Sequence, residues 1–178
     1  AGPGGPRPGA VRLAGYRDRP GGLGLEVRDE YVHEGAFYDE SGYLATMRML
    51  ALPEPPTAIF AASDLMAAGA LRAAHEVGVP VPDELAVVGF DDIALAALIQ
   101  PPLTTVRQNM ETLGREAAEG LIRMIEDPDA APPQIQVPTT LVVRASSTGL
   151  QAPRGRARAT DEGGERGTWG RPLAAAGD

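Results

Sequence analysis

Residues 56–92 read PTAIFAASDLMAAGALRAAHEVGVPVPDELAVVGFDD, and this stretch decides the fold. Thr57–Ala62 is a short apolar run behind paired prolines, the pattern of a strand buried in a parallel sheet. Ser63 and Asp64 follow as helix caps, with Asp64 the better of the two for that task. Leu65, Met66, Ala68, Leu71, Ala74 and Val77 then recur at helical spacing. Gly78 stands where a C-terminal cap glycine belongs. The turn 80–83 (PVPD) leads into a second buried strand, Leu85–Gly89. Strand, helix, strand in this order is a βαβ unit whose crossover should be right-handed. The class is α/β with a Rossmann-like parallel sheet.

Outward from this unit the signals weaken. Downstream, Phe90-Asp91-Asp92 leads to a short segment, Ala94–Ile99, then Pro101-Pro102 and an extended stretch, Leu103–Val106. Met110–Ile125 is an amphipathic helix with Met110, Leu113, Ala117, Leu121 and Met124 on one stripe. Pro132-Pro133 precedes a last predicted strand, Ile135–Val143. Upstream, Asp39-Glu40-Ser41 offers caps and a negative first turn to a helix carrying Tyr43, Leu44, Met47, Leu50 and Ala51, which Pro53 ends. Leu25–His33 reads as a short strand. Val11–Tyr16 starts a helix that Pro20, Gly21, Gly22 and Gly24 break.

The chain has 178 residues with 22 Gly and 17 Pro, crowded toward both ends. Residues 1–10 therefore read as a loop and residues 150–178 as a disordered tail, with the folded part between, over 11–149. The net charge of −8, with all 16 basic residues Arg, argues against the chain itself being a nucleic-acid-binding surface. Cysteine is absent, which removes disulfides, thiolate metal sites and Cys nucleophiles. Two histidines, His33 and His75, lack metal-ligand partners at useful spacing, so no metal or cofactor is expected. No apolar run approaches the roughly 18–20 residues that span a bilayer, and no leader pattern opens the sequence.

Three ordered blocks carry a resemblance: residues 56–92 above, 101–121 (PPLTTVRQNMETLGREAAEGL) and 137–147 (VPTTLVVRASS). They resemble the C-terminal half of the LacI/GalR family of bacterial transcription regulators. RLAGYR at 12–17 and EGAFYDESGYLA at 34–45 fit the same pattern. The resemblance implies a cytoplasmic regulator with a DNA-binding helix-turn-helix and a two-lobed core of the periplasmic-binding-protein-like fold. On that pattern the chain is an incomplete second lobe without that lobe's first strand. Operator DNA would be met only through the N-terminal domain that this chain lacks. Met110–Ile125 would pack on a first lobe largely absent here.

The resemblance also points to residues. Asp91 lies beyond the carboxyl end of a strand, where open α/β sheets bind ligands. The family places its effector-contacting Asp there, and a carboxylate can accept bonds from two adjacent sugar hydroxyls. Alone, Asp91 would read as a solvated acidic loop, and Asp92 as a cap or a support. Arg12 matches the family's effector-gripping Arg, with five fixed donors, although the residues just before it depart from the pattern. Phe37 offers an aromatic face to a pyranose or a purine; core packing is the equal alternative, and Tyr38 a substitute. Ser63 stands where many members carry an effector-contacting Asn. Gln108 sits at the crossover between lobes and touches ligand or bridges the lobes.

Ala68, Leu71, Leu95, Leu98 and Ile99 are more apolar than a free surface needs. The family makes this face a homodimer interface; internal packing is the alternative. The expected function is effector sensing, with a sugar or nucleoside as the small molecule. A sugar-binding protein of an uptake system is the second reading. An enzyme using Asp64 and Asp91 finds no nucleophile–base constellation to support it.

Overall fold

A computed structural model describes residues 8–18, 27–127, 129, 131–132 and 134–149. Expectations for residues 1–7, 19–26 and 150–178, including most of the opening loop, the glycine-rich break and the tail, lie outside the described residues; residues 8–10 of the expected 1–10 loop are instead the first turn of a helix, with Pro8 at its start, where a proline's missing N–H costs nothing. The elements in chain order are α1 (Pro8–Asp18), α2 (Asp39–Leu50), β1 (Ala58–Phe60), α3 (Asp64–Glu76), β2 (Ala86–Asp91), α4 (Ala94–Leu98), β3 (Thr104–Arg107), α5 (Met110–Glu126) and β4 (Thr140–Val142). Single turns of 3-10 helix occupy Asp29–Tyr31 and Ala145–Ser147.

The four strands form one sheet in the order β1-β2-β3-β4. β1, β2 and β3 run parallel, with Ile59 opposite Val87 and Gly89 opposite Thr105. β4 is antiparallel to β3. The expected βαβ unit is present as β1-α3-β2. Its core is Ile59, Ala61, Met66, Ala67, Ala70, Leu71, Ala74, Leu85 and Val87, joined by Ala96 and Leu103. Ser63 caps α3, accepting from the Met66 N–H at 3.2 Å. Asp64, expected to cap better, turns inward instead and is 1% exposed. At the other end Gly78 takes φ +71, and the Val79 and Gly78 N–H groups close back on Ala74 and His75 carbonyls. That is the left-handed helix stop for which glycine is suited.

α2 packs on α3 through small residues. Its buried positions are Gly42, Ala45, Thr46 and Met49; of the residues whose spacing marked the helix, Leu44 is exposed and Tyr43, Met47 and Leu50 are half-buried. The reason is a backbone crossing: a Cβ on Gly42 would lie 2.0 Å from the Met66 carbonyl oxygen, and one on Gly69 1.9 Å from that of Asp39.

Two strand expectations are corrected. The described part of Leu25–His33 contains a 3-10 turn, braced by Arg28 on Glu54 and by the Tyr31 hydroxyl on the Glu54 carbonyl. Ile135–Val143 pairs only over Thr140–Val142, with the described residues ahead of it largely exposed. Beyond β4 the chain is tied under the sheet by Ser146. Its hydroxyl donates to the Val87 carbonyl at 2.6 Å and accepts from the Thr104 N–H at 2.8 Å.

α5 forms as expected, capped by Asn109. Among its residues only Gly120 is buried, while Met110, Leu121 and Ile125 are 61%, 60% and 70% exposed. The helix presents an exposed apolar stripe.

Candidate functional site

β1, β2 and β3 end on the same side of the sheet, and the loops after them meet α1 and the 34–38 segment. Arg12, Phe37, Asp91 and Gln108 converge there. Arg12 reaches from α1. Its Nη1 donates to the Ala62 carbonyl at 2.6 Å, and its guanidinium stacks 3.8 Å from the centre of the Phe90 ring and 5.9 Å from that of Phe37. Its Nη2 lies 4.0 Å from Asp91 Oδ1, with the two side chains 17% and 30% exposed. Burial pushes the Arg12 guanidinium below its usual pKa, and Asp91 opposes that shift. Gln108 Nε2 donates to Asp91 Oδ1 at 2.5 Å. One carboxylate, one partly free guanidinium and two aromatic rings thus share one small space.

The backbone is strained at this place. Among the described residues the non-glycine positions with positive φ are Phe37 at 63°, Asp91 at 119° and Asp92 at 58°. Such conformations persist only where the surroundings hold them, and they gather at functional sites. The holding contacts are visible. Asp92 is clamped by Arg107 Nε at 2.5 Å and Arg144 Nη2 at 2.7 Å, and its side chain is 6% exposed. Burial alone would raise its carboxyl pKa; the hydrogen bonds from Arg107 and Arg144 overcome this and hold it below the usual value. Asp64 Oδ2 accepts from the Ile93 N–H at 2.9 Å and its Oδ1 from Thr105 Oγ1 at 2.5 Å. Burial raises the Asp64 carboxyl pKa, and those hydrogen bonds lower it only in part.

Ser63 is placed differently from the expectation. It is 4% exposed, and its hydroxyl is used on both sides, accepting from the Met66 N–H and donating to the Phe37 carbonyl at 3.4 Å. Its position fixes the Phe37 loop and offers no free donor. Phe37 itself is 39% exposed. Phe90, Asp64, Arg107 and Arg144 enter the site without having been singled out for these tasks. Phe90 stands inside the G-F-D-D motif and was legible there. Arg144 meets Asp92 across 52 positions, which no local pattern signals.

A crevice of about 660 Å³ adjoins the site under α1, lined by Arg12, His33, Phe37, Met49, Ile59 and Met66 among others. It runs along the outer edge of β1 and excludes Asp91 and Gln108. Its mainly apolar walls suit hydrophobic packing, and the polar cluster beside it is the better place for a hydroxylated ligand. His33 Nε2 is buried without a hydrogen-bond partner. Among the described residues no group of His, Asp and Glu could hold a metal ion, and no helix is long and apolar enough to cross a membrane.

The residues expected at a dimer face separate. Leu71 is inside the core and 7% exposed, so its side chain is not open to a partner. Ile99 packs partly against the same core, Ala68 and Leu95 are half-buried, and Leu98 is 74% exposed.

The periplasmic binding protein-like domain family matches residues 1–147. The chain is 39% identical over 122 residues to the HTH-type transcriptional repressor PurR of Mannheimia succiniciproducens, covering 68% of this chain and 36% of that repressor. It is 36% identical over 140 residues to the ribose operon repressor of Escherichia coli strain K12, covering 79% and 42%. Among solved structures, the transcriptional regulator CelR–cellobiose complex superposes with a TM-score of 0.74 at 39% identity, covering 78% of this chain and 42% of that one. A putative transcriptional regulator LacI from Bacillus cereus subsp. cytotoxis gives 0.76 at 34% identity, covering 79% and 50%. The chain therefore spans half or less of the length of each.

Proposed function

The chain belongs to the periplasmic binding protein-like domain family, in the form carried by LacI/GalR-type transcriptional regulators, and from this we propose that it is the effector-sensing part of such a regulator, with a sugar as the effector. The observation that carries the reading is Arg12 set 4.0 Å from Asp91 beside the Phe37 and Phe90 rings. A carboxylate accepts from neighbouring hydroxyls, a guanidinium donates to ring or hydroxyl oxygens, and an aromatic face covers the C–H side of a pyranose. The names of the relatives support the ligand class, since one is a ribose operon repressor and another was solved with cellobiose.

In this reading Arg12, Asp91 and Phe37 contact the effector, Gln108 orients Asp91, and Ser63 holds the Phe37 loop. A second lobe would close the other side of the ligand, packing on the open stripe of α5. The change in lobe angle on binding would alter operator affinity, a coupling between two sites. DNA would be met outside this chain, whose net charge is −8. The regulator would act in the cytoplasm as a homodimer, with Leu98 the most exposed of the candidate interface residues. The crevice beside β1 would take the lobe's first strand.

Saturation-transfer NMR with D-ribose and cellobiose tests the ligand class. Transfer to sugar C–H protons is expected and should fall in Phe37→Ala. No transfer to either sugar would contradict the reading.

A further inference from the structure

We propose that Asp64 is a positioning residue: from the first turn of α3 it holds the Asp91–Ile93 backbone in the conformation that aims Asp91 at Arg12. The inference rests on Asp91 being an effector contact. Asp64 does not serve its own helix, because Ser63 is the cap. Both its oxygens reach across to other elements, Oδ1 to Thr105 on β3 and Oδ2 to the Ile93 N–H. Ile93 is the first residue after two consecutive side-chain-bearing residues at positive φ, Asp91 and Asp92.

The backbone of this turn is tied at its two ends by main-chain pairing, Asp91 with Arg107 in the β2–β3 ladder and the Ile93 carbonyl accepting from the Ala96 N–H, and the other side chains that reach it grip side chains. Gln108 bonds the Asp91 carboxylate, and Arg107 and Arg144 bond that of Asp92. Asp64 is the one whose bond, among these, fixes the backbone itself. A side chain can swing while its carboxylate stays bonded; a backbone N–H bonded at 2.9 Å to a buried acceptor cannot.

Two further observations set Asp64 apart from an ordinary buried polar residue. No cation pairs with it among the described residues, and burying an unpaired carboxylate costs stability that an apolar residue would not. The sheet also leaves it room. A Cβ on Gly89 would stand 2.3 Å from Asp64 Oδ1, so the glycine of the G-F-D-D motif clears the space this carboxylate fills. A group that costs stability and has a space kept for it is explained by what it holds in place.

The test uses the 178-residue chain labelled with ¹³C and ¹⁵N. The readouts are the Asp91 and Asp92 backbone couplings, which report φ, the Asp91 carboxyl resonance without ligand, and the dissociation constants for D-ribose and cellobiose. Asp64→Asn and Thr105→Val should both move the ligand-free Asp91 signals and weaken sugar binding about tenfold or more, the scale of one charge-assisted hydrogen bond. Thr105→Ser, which keeps the hydroxyl donor, should restore both. A folded Asp64→Asn or Thr105→Val protein with unchanged Asp91 signals overturns the inference. If Asp64→Asn does not fold, Thr105→Val decides. If neither sugar binds wild type, the sugar reading fails, and the ligand-free couplings still decide the role of Asp64.

Discussion

Replacing Asp92 by Asn tests the physical account of the site without a ligand. The Asp92 side chain is 6% exposed and its strong partner, Arg144, 18%. Removing one charge from a buried pair costs about 3–5 kcal/mol, because the other charge is left uncompensated. Two facts reduce this. Asn keeps an oxygen acceptor, and Arg144 retains its bond to the Leu103 carbonyl at 2.8 Å. The Arg107 arm is 56% exposed, so solvent screening leaves it about 0–1 kcal/mol. The expected net loss is about 2–4 kcal/mol, or roughly 5–15 °C in Tm for a chain of this size. Thermal melts followed by far-UV circular dichroism at pH 7 read it directly.

The pH dependence is a second readout of the same change. Burial pushes the Asp92 carboxyl up, but its hydrogen bonds with Arg107 and Arg144 leave it below its unfolded value. Its stabilising contribution is therefore complete above the unfolded pKa of about 3.9 and is lost as pH falls through the lower folded value. The gap between wild type and Asp92→Asn should be full at pH 7 and close only below about pH 4. A Tm change under about 1–2 °C at pH 7 would refute the claim that this clamp holds the turn.

Other substitutions test the packing. Gly69→Ala places a Cβ 1.9 Å from the Asp39 carbonyl oxygen and should cost about 3 kcal/mol or more by urea unfolding, because backbone must move. Gly114→Ala on α5, with nothing within 4 Å, should instead stabilise by about 0.5–1 kcal/mol; equal effects at the two positions would contradict the crossing. Leu121→Gln with Ile125→Gln, at positions 60% and 70% exposed, should lower dye binding and self-association with little loss of stability. A loss above about 2 kcal/mol would mean that this stripe is packed.

The fold was legible where local signals agree. The βαβ unit over 56–92 carried two apolar runs, a cap and a stop glycine, and each lies where the pattern placed it, apart from the exchange of roles between Ser63 and Asp64. Neither residue type decides which of two adjacent caps turns inward; the Thr105 hydroxyl and the Ile93 N–H do, from 41 and 29 positions away. The buried face of α2 was not legible from apolar spacing, because burial there follows a close backbone crossing, which rewards Gly42 and Ala45 over Tyr43 and Leu44. Of the expected strand Ile135–Val143, only Thr140, Leu141 and Val142 find a partner in β3.

The site was legible through its motifs. R-L-x-G-Y, E-G-A-F and T-T-V-R-Q each contributed one residue to the cluster, and G-F-D-D contributed two, Phe90 and Asp91. What motifs do not show is which groups of the cluster stay open and which hold the others in place. Ser63 belongs to the second kind by burial. Arg144 and Asp64 join them through bonds that exist only once the sheet is assembled.

The most direct measurement is a titration of the ¹⁵N-labelled chain with D-ribose and cellobiose, followed residue by residue and repeated with Asp91→Ala. Amide shifts confined to the surroundings of Arg12, Phe37, Asp91 and Gln108, and lost in Asp91→Ala while the remaining spectrum is unchanged, are the predicted result. Shifts elsewhere on the molecule, or an Asp91→Ala protein that responds as wild type does, would contradict the assignment of this cluster as the effector site.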